Sequence, residues 1–227
     1  MLAAASTHPK SRPVDRTPRQ IRELSQAQAR RAHVLAAARD AFTELGLERA
    51  SLREIARRAG YTPGALYSYF DSKEAVYAAL LGESLERLNA SVAAAVQAPG
   101  AADAATALRR AAGGFFDFYQ AHPRDLDLGF YLFQGLQPRG LTPALDNALN
   151  QRLRDALAPM QAGFTLLGLP PEQALAETTA LFAHAVGLLL LGHTGRMRMF
   201  GQRPEALFET HLDHLVARLG GRRRKPR

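Results

Sequence analysis

Apolar residues recur along this 227-residue chain at spacings of three and four, the period of an α-helix, and no stretch alternates as a strand would. Val34, Leu35, Ala38, Ala41, Phe42 and Leu45 form one stripe, with Ser25 and Gln28 as a start signal and Gly46 as its end. Leu52, Ile55, Ala56 and Ala59 form a second, opened by Ser51 and Glu54 as a capping box and closed by Gly60. Thr62 and Pro63 open a third, in which Ala65, Leu66 and Phe70 pack inward and Tyr67 and Ser68 face out. Asp71 and Glu74 offer a cap for a longer helix from Ser72 to near Gln97, broken at Pro99-Gly100. Further helices are expected over 103–121, 124–136, 143–168, 172–200 and 204–219, with a kink at Pro159 and a stop at Gly220-Gly221. The fold class is therefore all-α, with about nine helices and short connections.

The stretch from Ser51 to Lys73 reads as two short helices joined by a glycine-containing turn. That is the layout of a helix-turn-helix, whose second helix is narrow enough to enter the DNA major groove. An ordinary helical hairpin in a bundle would show the same spacing. The residues REIARRAGYTPGALYSYFDSKEAVYAALL go further. They closely resemble the DNA-binding signature of the tetracycline-repressor (TetR) family of bacterial transcription regulators, and the resemblance runs from about Val34 to Leu81. The chain departs from that pattern at Pro63, where the family commonly has Lys, and at Ser68, where it often has His. The first change removes one phosphate contact.

The resemblance implies a three-helix head on a six-helix regulatory body, dimerisation through the last two helices, and a small effector in the body. It also implies phosphate contacts from Tyr67 and Lys73, and close approach to base edges at Gly64 and Ala65. The DNA-binding set is then Ser51, Arg53, Thr62, Gly64, Ala65, Tyr67, Ser68, Tyr69 and Lys73, with Arg53 the side chain best suited to reach a base. The expected organisation is a flexible basic arm over 1–24, the head over 25–71, a ligand-binding and dimerisation domain over 72–219, and a basic tail over 220–227.

Charge refines this picture. The formal net charge is +8, but the excess lies at the ends: +5 over residues 1–31, zero over 32–80, −2 over 81–219 and +5 over 220–227. Basic ends can add attraction to phosphate, and they can equally serve as solubilising tails. There is no cysteine, so disulfides and thiolate metal sites are excluded. No basic-then-apolar leader opens the chain, and the apolar run Ala185–Leu191 is too short to span a bilayer, so a cytoplasmic protein without membrane contact is expected.

Candidate chemistry is sparse. There is no phosphate-cradling glycine loop, no H-E-x-x-H and no G-x-S-x-G, so no enzyme is expected and no cofactor. His211 and His214 share a helix face with Asp213 between them, which suits a surface metal site or plain solvent-facing histidines; no metal is assigned. An aromatic set in the body, Phe115, Tyr119, Phe130, Phe133 and Phe182, reads as core or as the wall of a ligand cavity, with His184 and His193 as structural groups or polar contacts there. On the last helix Leu207, Phe208, Leu212, Leu215, Val216 and Leu219, and on the one before it Leu181, Ala185, Leu188, Leu189 and Gly192, are the expected dimer contacts.

The function expected from all this is a homodimeric DNA-binding transcription regulator. It would be a repressor released from a palindromic operator by a small apolar or aromatic effector. A ligand-independent regulator of the same fold, and a helical carrier or enzyme, are the alternatives.

Overall fold

The computed structural model describes residues 17–100, 103–130 and 141–222, and within them it contains α-helices and one short 3-10 turn. The helices are α1 (Pro18–Arg49), α2 (Leu52–Arg58), α3 (Pro63–Tyr67), α4 (Lys73–Gln97), α5 (Ala104–Ala121), α6 (Pro123–Gly129), α7 (Pro143–Leu166), α8 (Pro171–His193) and α9 (Pro204–Arg222). The all-α expectation holds.

Several boundaries differ from the expected ones, each for a local reason. Helix α1 starts at Pro18, because Thr17 and Gln20 form the capping box that was expected from Ser25 and Gln28. Residues 18–24, expected in a flexible arm, are thus helical; residues 1–16 and 223–227 lie outside the described residues. At Ser51 only half of the expected box forms: the hydroxyl accepts from the Glu54 amide, while the Glu54 carboxylate turns to Arg57 and Arg58. Helix α4 is capped by Ser72, which accepts from the Ala75 amide, and not by Asp71. The expected long helix 172–200 stops at His193; Gly195 takes a φ of 71° and Arg196–Phe200 forms a 3-10 turn. Helix α7 continues through Pro159, and α9 continues past Gly220 to Arg222.

The head is α1, α2 and α3, closed over Leu35, Phe42, Ile55 and Leu66, all at most 2% exposed. Helix α4 leaves the head and runs into the body, packing on α5 and α7 as well as α1. Phe42 of α1 meets Tyr77 of α4 edge to face at 6.0 Å, so the head and the first body helix share one core. Helices α5 and α7 cross closely because position 163 is glycine: a Cβ there would sit 2.9 Å from the Leu108 Cα. Helix α8 packs on α5 and α7, and α9 packs on α8.

The buried face of α9 is Phe208, Leu212, Leu215 and Leu219. Its exposed face is mostly polar and includes Glu209, Thr210, Asp213, His214 and Arg218. Phe208, Leu212, Leu215 and Leu219 were expected at a dimer contact, as were Leu181, Ala185, Leu188 and Leu189 on α8; all of these instead fill the core of their own protomer. What α8 leaves outside is a stripe of Leu175, Ala176, Thr179, Ala180, Ala183 and Leu191, with Gly187 half-buried among them. The whole of α8, longer than the run 185–191, has the length and composition of a membrane span, which the core helix of a soluble protein can also have; 33% of its apolar window is buried.

Candidate functional site

The head exposes one side of a short helix. Ala59 ends α2, Gly60 turns the chain at φ 70°, and the Thr62 hydroxyl accepts from the Ala65 amide to start α3. A residue with a Cβ is strained at that φ, so the glycine sets the angle between the two helices. Leu66 and Phe70 point into the head, which leaves Thr62, Gly64, Tyr67 and Ser68 on the outside. Tyr67 is 54% exposed, although a tyrosine could have buried its ring; this ring stands in solvent beside an open backbone at Gly64, where nothing lies within 4 Å of a Cβ position.

The other expected contact residues surround this face. Ser51 caps α2, and Arg53 is exposed on its first turn with no ion pair among the described residues. Ser68 is exposed, and its hydroxyl donates to the Ala65 carbonyl at 2.7 Å. Tyr69 and Ala65 are half-buried, supporting the helix more than presenting it. Lys73 is half-buried as well, and its ammonium donates to the Leu47 carbonyl at 2.8 Å, tying the start of α4 to the end of α1. Beside this face the Glu54 carboxyl is held down to about 2 by hydrogen bonds from Arg57 and Arg58. It stays charged, and it occupies two cations on the same helix as Arg53.

The body has a cavity of about 180 Å³ between α4, α5, α6 and α7. Leu81 and Leu85 form one wall, Leu149 and Leu153 another, and Tyr119, Gly129 and Phe130 the end nearest α6. Asp146 and Asn150 supply its polar edge, hydrogen-bonded to each other at 3.0 Å. Burial raises the Tyr119 hydroxyl above its ordinary range, with the nearby Asp125 adding to the effect, so it remains a neutral donor.

Of the expected ligand residues, Phe115, Tyr119, Phe130 and Phe182 do come together as a ring cluster, with centroids 5.1–6.0 Å apart. Only Tyr119 and Phe130 line the cavity; Phe115 and Phe182 back them. Phe133 lies outside the described residues. His193 Nε2 lies 3.3 Å from the Tyr119 carbonyl, outside the cavity lining. Sequence reasoning missed the α7 wall. The spacing of Asp146, Leu149, Asn150 and Leu153 does put all four on one helix face, which was the available signal.

His184 sits apart, stacked on His211 of α9 with centroids 4.0 Å apart. Its Nε2 is buried without a hydrogen-bond partner among the described residues. Burial lowers the affinity of both rings for a proton; His211 adds to this at His184, and Arg218 adds to it at His211, where Glu177 opposes it. The folded state therefore binds fewer protons here than the unfolded chain. Stability from this pair is present above the ordinary imidazole value and is lost as the pH falls below it. We expect the melting temperature to fall between pH 7.5 and 5.5, roughly one unit either side of that value, and to fall less in His184→Gln. An equal fall in both proteins would show that the pair does not contribute.

Helix α6 connects the cavity to the head. Gly129 and Phe130 at its end line the cavity. The Tyr77 hydroxyl of α4 donates to the Leu128 carbonyl within it. Near its start Asp125, 3% exposed, accepts from Arg39 of α1 at 3.1 Å and from Arg87 of α4 at 2.6 Å. One carboxylate thus joins a head helix, the helix that links head to body, and the helix that ends at the cavity.

Known proteins resemble this chain in the sequence of its head and in its fold. Residues 34–80 match the family described as bacterial regulatory proteins, tetR family. The HTH-type transcriptional regulator UidR of Escherichia coli (strain K12) is 40% identical over 63 residues, which is 28% of this chain and 32% of UidR. The chain thus spans about a third to two fifths of the length of the first curated relatives it matches. Among solved structures, the regulatory protein SCO4313 superposes with a TM-score of 0.70 at 21% identity, covering 86% of this chain and 98% of that one. The transcriptional regulator FadR from Bacillus subtilis, solved in complex with stearoyl-CoA, gives a TM-score of 0.61 at 20% identity, covering 82% and 97%. The likeness of fold extends over the body, while the sequence match is carried by the head: residues 34–80 are a domain of the tetR family of bacterial regulatory proteins.

Proposed function

We propose that the protein is a DNA-binding transcription regulator that works as a homodimer in the cytoplasm, occupies a palindromic operator as a repressor, and is released by a small apolar effector. The observation that carries DNA binding is the outward face of α3, where a solvent-exposed Tyr67 and the bare backbone at Gly64 sit on a head whose core is closed beneath them. Support for the dimer comes from the outer stripe of α8. Its alanines and Gly187 allow a second helix to approach closely, and its apolar content gives that helix something to bury against.

Support for an apolar effector comes from the leucine walls of the cavity between α4 and α7 and from the bound stearoyl-CoA of the structurally similar FadR. To move a two-state protein from 1:99 to 99:1 an effector must prefer one state by about 5.5 kcal/mol. At about 25 cal/mol per Å², roughly 220 Å² of extra apolar burial in the released form would supply that.

The test is selection of bound duplexes from a random pool, followed by gel shifts across salt. A palindrome is expected, with half-sites one helical turn, about 34–36 Å, apart. Arg53→Ala should change the preferred bases, because a base contact specifies. Lys73→Ala should weaken binding to every sequence alike. If selection enriches no sequence, DNA recognition by α3 is wrong.

A further inference from the structure

The first half of α1 stands clear of the head. From Thr17 to His33 no residue is buried, and burial begins at Val34. The segment from Pro18 to Arg30 projects about 20 Å as helix. Its last contacts with the head are specific. The Arg31 guanidinium lies 4.8 Å over the Phe70 ring. His33 Nε2 is 3.1 Å from the Ala59 carbonyl, and its ring packs edge-on against Tyr61. Ala59 and Tyr61 flank the turn from which α3 starts. The projection therefore leaves the head beside the end of α3 that enters a groove in a helix-turn-helix complex.

One face of the projection is basic. Arg19, Arg22, Gln26, Arg30 and His33 follow each other at spacings of three and four, so they form a single stripe. His33, the last of the stripe, is the residue that touches the α2–α3 turn, so the stripe runs along the side of α1 that faces it. The cations are little engaged. Arg22 and Arg30 donate through Nε to the Pro18 and Gln26 carbonyls of their own helix. Arg19 pairs with Glu23 at 2.8 Å with both side chains in solvent, a contact of small value that a phosphate can replace. Guanidinium groups spaced along a rod, with donors left over, fit a row of phosphates.

We infer that the projecting half of α1 is a second DNA-binding element: Arg19, Arg22 and Arg30 follow the phosphate backbone of the duplex outside the half-site read by α3. This rests on the DNA-binding reading above and extends the contacted duplex beyond the operator core. Phosphate contacts position a protein and do not specify bases, so the stripe adds affinity and leaves the selected sequence unchanged.

The test uses the full-length protein and two duplexes carrying the selected operator: the core alone, and the core flanked by about one further helical turn, roughly 10 base pairs, on each side. The wild type should bind the longer duplex more tightly. The triple variant Arg19→Gln, Arg22→Gln, Arg30→Gln changes only exposed side chains and should keep its helix content by circular dichroism. It should bind both duplexes equally, and its plot of log affinity against log salt should flatten by about 0.9 for each phosphate that is no longer neutralised. Lysine at the same three positions should restore the slope. A triple variant with the wild-type slope and length preference overturns the inference while leaving the α3 reading intact; it would leave the exposed Ile21 and Leu24 face as the reason for the projection. A wild type that binds no selected duplex overturns the DNA-binding reading itself.

Discussion

Replacing Ala183 with glutamate should give a well-folded monomer whose operator affinity is lower by about 100-fold or more. Ala183 lies in the middle of the outer stripe of α8 and is exposed in the protomer, so the longer side chain has solvent to extend into. In the proposed dimer it would be covered by the partner helix. A buried carboxylate without a counter-charge costs several kcal/mol, enough to dissociate a protein dimer of ordinary affinity. Each half-site would then be held singly, without the effective concentration that links the second contact to the first; linked binding commonly exceeds single binding by about 10²–10⁴. Sedimentation reads the first effect and a gel shift on the selected operator reads the second. Leu212→Glu provides the contrast. Leu212 is 4% exposed and packs inside its own protomer, so this variant should lose its fold together with its assembly. A dimeric Ala183→Glu that grips the operator as the wild type does would put the interface on another face.

Replacing Asp125 with alanine should lower the melting temperature by about 5–10 °C and uncouple effector binding from DNA release. The carboxylate accepts from two guanidinium groups, and charge-assisted bonds of this kind contribute about 1.5–3 kcal/mol each. Arg39 and Arg87 keep access to water, with side chains 24% and 49% exposed, so the effect is smaller than for a sealed ion pair and about 2–3 kcal/mol is expected. For a chain of this size each kcal/mol is worth about 2–4 °C. The functional effect follows from position. Asp125 is the buried contact by which α6, ending at the cavity, holds α1 of the head. Without it a ligand can still fill the cavity and raise the melting temperature, but the displacement of α6 is left with the long, solvent-exposed Arg124–Asp40 pair at 3.9 Å as its ionic link to the head, a contact of small value. Thermal shift and operator release measured on the same compounds separate the two outcomes. If Asp125→Ala releases DNA at wild-type effector concentrations, the coupling runs through the hydrophobic contact of Phe42 with Tyr77 instead.

Much of the head was legible because its signals are local. A capping hydroxyl at Thr62, a proline after it, a glycine at 60 and apolar residues three and four apart each act within one or two helical turns. The chain therefore carries its own statement of α2, the turn and α3. The same is true of the aromatic residues of α5: four of the five rings expected together are together, because Phe115 and Tyr119 share a face and the long helix α8 brings Phe182 to it. Periodicity failed where it could not choose between equals. Both broad faces of α8 are apolar, and the pattern alone favoured the bulkier one for the interface.

By itself the sequence determined the helices, the order of head and body, and the residues offered by α3, since those depend on propensity, capping and spacing along the chain. The tertiary structure decided which apolar face of α8 and α9 is spent inside the protomer. It also decided that the cavity wall comes from α4 and α7, and that one carboxylate in α6 gathers arginines from two other helices. These are matters of which surfaces meet at long range. Burial is a property of the packed set, so Ala183 and Leu188, both apolar on one helix, end up exposed and buried respectively only once the rest of the body has covered one side of it.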